Sequence, residues 1–248
     1  MHRCHIEPSG WNDKIMTLSP AESHHLVDVM RARDGETVAV FDGRGRKAVA
    51  RLVLKGERAA AQLQVSSAGS DSRSGGVEVV LIQAIPKGSK MDMIVEKAVE
   101  LGVSAIWPVM TERTIVRLNS DEARRNRSER WQRLALSASR QCGTSWIPDV
   151  EPVADIGDAF ARCDGFDLFL SGSLEKDAIP LREVLSRRTG AAPRRIGLLI
   201  GPEGDLTSAE LAAARNAGAI PVSFGSLVLR VDTAAIFGLS VLASEFAR

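Results

Sequence analysis

The chain has 248 residues, 44% of them hydrophobic, which is enough to bury one large core or two modest ones. Its 32 basic and 31 acidic residues leave a net charge of only +1, so the overall charge does not indicate a nucleic-acid partner. No apolar stretch reaches the roughly 18 residues of a membrane span, and no secretory signal follows Met1, so we expect a cytoplasmic protein that does not contact a membrane.

The cysteines and the distribution of charge indicate which metal sites and charged partners to expect. Cys4, Cys142 and Cys163 lack the CxxC spacing of a zinc site, so we expect reduced thiols and no bound metal. Residues 117–140 hold seven arginines against three acids, whereas residues 150–248 carry a net charge of −3. A polyanion is therefore expected to meet the first half of the chain, although charge alone favours a solvated helix face for the arginine run.

The first 70 residues are mostly typical of strands. Runs rich in β-branched and apolar residues at 37–41 and 47–54 are separated by a glycine-containing turn, and 61–65 alternates in the same way. Only residues 21–31 have a helical pattern there. We expect a small β-barrel with one helix over residues 1–70.

After residue 70 the pattern changes. Small polar residues over 68–76 predict a linker, which we place at 71–76. The predicted strands that follow lie at 77–85, 103–110, 166–170, 195–200 and 220–224, and the predicted helices at 89–101, 120–141, 180–188, 207–216 and 233–246. Such alternation predicts an α/β domain with a parallel sheet over residues 77–248.

One candidate ligand loop is Gly201-Pro202-Glu203-Gly204. It follows an apolar strand and precedes a helix whose Thr207 and Glu210 form a capping-box pattern, so we expect it at the carboxyl end of the sheet, where ligand crevices form. Its glycines permit close backbone approach to a ligand. The loop lacks GxGxxG spacing and a Walker lysine, which argues against a dinucleotide or P-loop site. An ordinary strand-to-helix turn is the alternative.

A second candidate loop is the segment 225–234, an apolar stretch that carries one arginine and one acid before the last predicted helix. Arg230 and Asp232 could pair with each other. The helix also needs a capping acceptor, which we expect at Asp232 or Thr233.

Together the two loops resemble the AdoMet-binding loops of the SPOUT superfamily of RNA methyltransferases. Motifs upstream narrow the resemblance to the family that methylates N3 of a uridine in bacterial 16S ribosomal RNA, and they cover nearly the whole chain. These motifs are His24-His25-Leu26, Val29-Met30-Arg31, Phe41-Asp42-Gly43, the stretch 97–103, Glu112-Arg113, Trp131, Gln141-Cys142-Gly143 and Pro148. Asp205 stands where the family usually has another glycine, and Val231-Asp232 stands where Thr-Glu is common.

The resemblance implies a C-terminal SPOUT α/β domain with a parallel sheet and a deep trefoil knot, preceded by a small PUA-like β-barrel that binds RNA. It also implies S-adenosyl-L-methionine (AdoMet) as the cofactor, 16S ribosomal RNA or the small ribosomal subunit as the partner, and a homodimer formed through the knot domain. Arg230 and Asp232 are the expected catalytic residues. The expected cofactor-binding residues are Leu170, Ser171, Gly172, Leu199, Ile200, Gly201, Pro202, Glu203, Gly204, Phe224, Gly225, Leu227, Leu229, Arg230 and Thr233.

Nine basic side chains are expected to contact RNA phosphates: Arg3, Arg31, Arg33, Arg44, Arg46, Lys87, Lys90, Arg113 and Arg117. Two alternatives stay open at this point. One is a SPOUT methyltransferase that acts on a different ribosomal RNA or transfer RNA nucleotide. The other is a non-enzymatic RNA-binding factor in ribosome assembly.

Overall fold

The structure is a computed structural model that describes residues 1–54, 61–72 and 76–246. The chain divides into two compact units, Met1–Arg73 with Ser139–Ile147, and Ser74–Ala138 with Pro148–Arg248. Residues 73–75 of the predicted linker lie outside the described residues, so the domain boundaries at 70 and 77 stay a prediction. The segment Ser139–Ile147 belongs to the first unit, although the sequence patterns assigned it to the second domain.

The first unit is built on a five-stranded sheet with the order β1-β3-β4-β5-β2. Its strands are β1 Arg3–His5, β2 Ile15–Thr17, β3 Thr37–Phe41, β4 Arg46–Val53 and β5 Gln62–Ser70. Strands β1 and β3 are parallel, and the other pairs are antiparallel. Alternate residues of β3 and β4, such as Val38, Ala50 and Leu52, are fully buried, as the period of two predicts for a strand that covers a core.

The helix that we predicted in the first unit is shorter in the structure. Helix α1 (Pro20–His24) begins where the Ser19 side chain accepts a hydrogen bond from the Glu22 backbone N–H, and it continues as a π-helical turn over His25–Val29. The predicted α-helix over 21–31 is therefore wrong in its second half. Strand β5 extends to Ser70, so residues 68–70 belong to the sheet and not to a linker.

The second unit contains an eight-stranded sheet in which every pair of strands is parallel. Its order is β11-β13-β10-β12-β6-β7-β8, and β9 also pairs with β7. The strands are β6 Glu78–Ala84, β7 Ala105–Met110, β8 Asp149–Val150, β9 Ala154–Asp155, β10 Leu168–Gly172, β11 Ile179–Pro180, β12 Arg195–Ile200 and β13 Ile220–Ser223. The predicted α/β class with a parallel sheet is confirmed.

Within the described ranges, six α-helices accompany this sheet: α2 Lys90–Glu100, α3 Asp121–Cys142, α4 Ile156–Phe160, α5 Leu181–Ser186, α6 Ser208–Asn216 and α7 Val231–Phe246. Helix α6 starts with the predicted capping box, in which both the Thr207 and the Glu210 side chains bond to the backbone. Helix α7 begins at Val231, so Asp232 and Thr233 lie inside its first turn. The prediction that one of them caps this helix is wrong. Within the described residues, no helix is both long and apolar enough to cross a membrane.

Both faces of the sheet are covered. On one face, Ile82, Phe169 and Leu199 share a core with residues of α4 and α6. On the other, α7 packs directly on β12, since a Cβ atom placed on Gly238 would lie 2.8 Å from a methyl carbon of Leu198. The central strands are buried on both sides, which explains their nearly continuous apolar sequences.

Candidate active site

A cavity of about 610 Å³ lies at the carboxyl ends of three neighbouring strands, β13, β10 and β12. Because these strands are parallel, their outgoing loops meet at one edge of the sheet. We call these loops the β10 loop (173–178), the β12 loop (201–207) and the β13 loop (224–230), and the space between them the loop cavity. Its lining comprises Lys90, Gly172, Ser173, Leu174, Glu175, Ile200, Gly201, Pro202, Glu203, Asp205, Ser223, Phe224, Gly225, Ser226, Leu227, Val228, Leu229, Arg230, Val231 and Ala234.

The β12 loop is a tight turn that hydrogen bonds from Arg113, a residue outside the loop, stabilise. The Asp205 N–H donates to the Pro202 carbonyl at 2.9 Å, and Asp205 itself adopts a left-handed conformation with φ +60°. The Arg113 guanidinium donates to the Gly204 carbonyl at 2.7 Å and to the Leu206 carbonyl at 3.3 Å. Arg113, which we expected to contact RNA, therefore supports this loop.

Glu203 joins the β12 loop to the segment before α2. Its carboxylate accepts hydrogen bonds from the Lys87 backbone N–H at 3.1 Å and from Lys90 Nζ at 3.0 Å. Burial alone would raise the pKa of the Glu203 carboxyl. The hydrogen bonds from Lys90 and from backbone N–H groups outweigh burial and hold this pKa below its ordinary value. Glu203 is therefore an ionised carboxylate at neutral pH.

The β10 loop is held by a cation of α6. Arg215 donates to Glu175 at 2.7 Å and to Asp177 at 2.9 Å. The Ser173 N–H also donates to the Val222 carbonyl at 2.9 Å, which continues the pairing of β10 with β13 beyond the strand end. These bonds place Glu175 on the wall of the loop cavity.

The β13 loop combines a packed start with an exposed middle. Phe224 packs against Phe237 of α7 with ring centroids 5.5 Å apart and ring planes tilted by 48°. A Cβ atom on Gly172 would lie 3.0 Å from the Phe224 ring, so any larger residue at the end of β10 would require this ring to shift. Leu227 and Val228 are 79% and 75% exposed, which leaves an apolar surface at the mouth of the loop cavity.

The two expected catalytic residues differ in their surroundings. Arg230 is exposed and lines the loop cavity. Asp232 is half-buried on the first turn of α7, is not part of the lining, and has a buried Oδ1 with no hydrogen-bond partner among the described residues. No ion pair between Arg230 and Asp232 occurs in the described ranges, so the pairing that we considered is not formed there.

The expected cofactor-binding residues also separate into two groups. Gly172, Ile200, Gly201, Pro202, Glu203, Phe224, Gly225, Leu227, Leu229 and Arg230 line the loop cavity. Leu170, Ser171, Leu199, Gly204 and Thr233 are not part of its lining. The Leu199 side chain packs in the core between the sheet and helices α4 and α6, whereas Leu227 and Leu229 belong to the apolar part of the cavity lining.

The expected RNA-contacting residues are spread over both units. Arg3 and Arg46 have side-chain contacts within the first unit: Arg3 donates to the Thr144 carbonyl at 2.9 Å, and Arg46 donates to Asp42 at 2.6 Å. The Arg44 backbone N–H donates to Asp42 at 2.8 Å. Arg31, Arg33, Arg44, Lys87 and Arg117 are exposed, whereas Lys90 lines the loop cavity.

Several lining residues were missed from the sequence, among them Ser173, Glu175 and Ser223. A general signal could have found the first two, because residues that directly follow a buried parallel strand lie at the ligand-binding edge. Among residues 1–54, 61–72 and 76–246, no cluster of three or more His, Cys, Asp or Glu side chains could hold a metal ion.

Comparison with known proteins decides the family. The family model for the RNA methyltransferase domain matches residues 73–243, and that for the RNA methyltransferase PUA domain matches residues 18–62. Ribosomal RNA small subunit methyltransferase E of Mycobacterium bovis is 30% identical over 92% of this chain and 86% of its own. The chain belongs to the ribosomal RNA small subunit methyltransferase E family.

Other members of this family agree in sequence and in structure. The Bacillus subtilis member is 28% identical over 92% of this chain and 90% of its own. The Neisseria gonorrhoeae member, solved with bound S-adenosyl methionine, has a TM-score of 0.86 and 29% identity, covering 98% of this chain and 97% of its own. A methyltransferase from Legionella pneumophila, solved with its bound cofactor SAM, has a TM-score of 0.85 and 30% identity over 98% of this chain and 96% of its own.

Proposed function

We propose that this protein transfers a methyl group from AdoMet to N3 of a specific uridine in 16S ribosomal RNA of the small subunit. The main observation behind this proposal is the loop cavity at the ends of β10, β12 and β13, because residues of the expected cofactor loops line this one cavity. Family membership and two solved relatives with bound cofactor support it. Since ribosomal RNA is the substrate, the reaction takes place in the cytoplasm.

The residues of the loop cavity fit AdoMet. Its volume of about 610 Å³ lies within the range of small-molecule sites. Leu227 and Leu229 offer apolar surface for the adenine, and the backbone around Gly201 and Gly225 offers polar groups to its edge. The carboxylates of Glu175 and Asp205 suit a ligand that carries a sulfonium and an ammonium, whereas Glu203 is paired with Lys90.

Two side chains are the candidates for chemistry. AdoMet, when bound, supplies an electrophilic methyl group on a sulfonium. Uridine N3 lies between two carbonyl groups, and loss of its proton places negative charge on their oxygens. Arg230, a cation at the loop cavity, stabilises that charge. Asp232, two residues after Arg230 on the first turn of α7, is the candidate that accepts the N3 proton or positions the group that does.

The RNA must present an unpaired or flipped uridine, because N3 of a paired uridine is engaged in base pairing. The exposed residues Arg31, Arg33 and Arg44 of the first unit, with Lys87 and Arg117 of the second, are the proposed phosphate contacts. Arg3, Arg46 and Arg113 already hold protein groups and are less suited to this role. The first unit corresponds to a PUA-like RNA-binding domain over residues 1–70, and residues 77–248 form the catalytic domain.

The knot and a homodimer belong to the same proposal. Strand β13 pairs with β10, yet α7, which follows it, packs on β12, so the chain must cross β10 between them. This path supports a trefoil knot. Met93 of α2 and Phe237 of α7 are 39% and 41% exposed on helices that pack together, which supports a second copy of the chain as their cover.

Mass mapping of 16S ribosomal RNA from a strain that lacks the gene tests the substrate. We expect 3-methyluridine to disappear at one position, and an unchanged level would contradict the assignment.

The residue-level test is Arg230→Ala, which should lower turnover about 100-fold or more while AdoMet still binds. Arg187→Ala, which removes an exposed arginine outside the cavity lining, is the matched control and should retain normal turnover. A near-normal rate for Arg230→Ala would remove Arg230 from the mechanism.

A further inference from the structure

Lys90 is the first residue of α2, and its side chain lines the loop cavity. Its ammonium donates to Glu203 Oε1 at 3.0 Å, while the same carboxylate is fixed by the Lys87 backbone N–H at 3.1 Å. An ammonium has three N–H donors, and Glu203 accepts one of them. In the described part of the chain, no other hydrogen bond engages this ammonium. Lys90 is therefore held at the cavity wall with donors left for a ligand.

The position of Lys90 is locally unfavourable. A cation in the first turn of a helix opposes the positive end of the helix dipole, which favours acids there. Its side chain is only 30% exposed, so it is also partly removed from water. The helix end and partial burial both disfavour a lysine at this position; Glu203 supplies one compensating negative charge, and an anion in the cavity would supply a second.

The charges of the cavity lining identify the anion. Two cations, Lys90 and Arg230, face three carboxylates, Glu175, Glu203 and Asp205, so the described lining has a net charge of −1. AdoMet carries a sulfonium, an ammonium and a carboxylate, and its net charge of about +1 at neutral pH complements that lining. An RNA phosphate has no positive group and would be repelled by the three carboxylates.

We propose that Lys90 binds the methionyl carboxylate of AdoMet, and that Glu203 is the positioning residue that holds the ammonium of Lys90 in place. This inference rests on the proposed function, because it assigns one contact within the same cavity. It moves Lys90 from the expected RNA contacts to the cofactor site. It also implies that the protein discriminates against an AdoMet analogue that lacks the carboxylate.

Calorimetry with AdoMet and decarboxylated AdoMet tests the contact. We expect the wild-type protein to bind AdoMet about tenfold more tightly than the decarboxylated analogue, as for the loss of one charge-assisted hydrogen bond. Lys90→Met should weaken AdoMet binding by about the same factor and abolish the preference. Lys97→Met is the matched control, because it removes a lysine of the same helix that pairs with Glu96 and Glu100 outside the cavity lining, and it should keep the wild-type preference.

Glu203→Gln tests the positioning role, since glutamine keeps an acceptor for the Lys87 N–H but loses the charge that holds Lys90. The variant should reduce the preference for AdoMet and leave the affinity for the decarboxylated analogue within about twofold. A purely structural role would weaken both ligands equally.

Three results would overturn the inference: equal weakening of both ligands in Lys90→Met, a wild-type protein that does not distinguish them, or an unchanged AdoMet affinity with weaker binding of 16S ribosomal RNA. The last result would assign Lys90 to an RNA phosphate. A wild-type protein that binds no AdoMet would instead contradict the proposed function itself, so the two failures are distinguishable.

Discussion

At the scale of single residues, the backbone conformation of Asp205 explains how the chain tolerates a departure from the family pattern. Its φ of +60° lies in the left-handed region, which glycine adopts without a steric penalty. The resemblance described above implies glycine at this position in the family, and aspartate is one of the few other residues that tolerates the conformation. The Asp205 side chain also accepts a hydrogen bond from the Leu206 N–H at 2.7 Å. The β12 loop therefore keeps its shape despite the substitution.

Substitutions at Asp205 separate backbone strain from the side-chain bond. Asp205→Ala keeps a side chain at positive φ and removes the bond, so it should lower the free energy of unfolding by about 1–2 kcal/mol. Asp205→Gly loses the same bond but relieves the strain, and it should be about 1 kcal/mol more stable than the alanine variant. Urea unfolding measures both. An alanine variant as stable as the glycine variant would show that the loop relaxes away from the left-handed conformation.

The sequence predicted which loops form the candidate site but not which side chains face it. Gly201, Pro202 and Glu203 line the cavity as expected, whereas Leu199 packs in the core. A strand that is buried on both faces is apolar throughout, so its pattern does not reveal which side chains point to which face. Contacts such as that of Arg113 with the Gly204 carbonyl are equally invisible, because they join residues 91 positions apart.

At the scale of elements, the three cavity loops are held to different extents. The β12 loop is held by Arg113 and Glu203, and the β10 loop by Arg215. Among the described residues, no side chain of the β13 loop forms an ion pair or a hydrogen bond. The cavity thus has two fixed walls and one that depends on the packing of Phe224.

The pH dependence of stability tests the Glu203 contact. The folded protein lowers the pKa of Glu203 below its ordinary value of 4.5, so the stabilisation is fully present above pH 4.5. It is lost as the pH falls through the lower pKa of the folded state, where the carboxyl becomes protonated. At pH 7, Glu203→Gln should lower the free energy of unfolding by about 1 kcal/mol.

The same comparison at low pH supplies the control. The stability difference between the wild-type protein and Glu203→Gln should shrink as the pH falls below 4.5, because protonated glutamate and glutamine then have the same charge. A difference that stays constant from pH 7 to pH 3 would mean that the charge of Glu203 does not contribute.

At the scale of the whole molecule, the sequence patterns predicted the α/β class and most element bounds, but they gave no sign that the segment Ser139–Ile147 belongs to the first compact unit. Polar contacts link this segment to the rest of the first unit. Arg140 forms an ion pair with the buried Glu22, and Ser145 donates to Asp71 at 2.9 Å. Arg140 and Glu22 are 118 residues apart in the chain, so no local pattern could have predicted their contact.

The ion pair between Glu22 and Arg140 should be a strong determinant of stability. Both side chains are less than 20% exposed, so the loss of one partner leaves an uncompensated buried charge. We expect Glu22→Ala and Arg140→Ala each to lower the free energy of unfolding by about 3–5 kcal/mol. The double variant should lose clearly less than the sum of the two, as urea unfolding would show. Additive losses would contradict a direct interaction.

The transfer of a methyl group to uridine N3 is the central claim, and a labelled reaction tests it most directly. The purified protein is incubated with AdoMet that carries an isotopically labelled methyl group and with small ribosomal subunits from a strain that lacks the gene. The RNA is then digested and its nucleosides are analysed by mass spectrometry. We predict labelled 3-methyluridine from one position of 16S ribosomal RNA. Label in a different nucleoside, or no label in the RNA, would contradict the account.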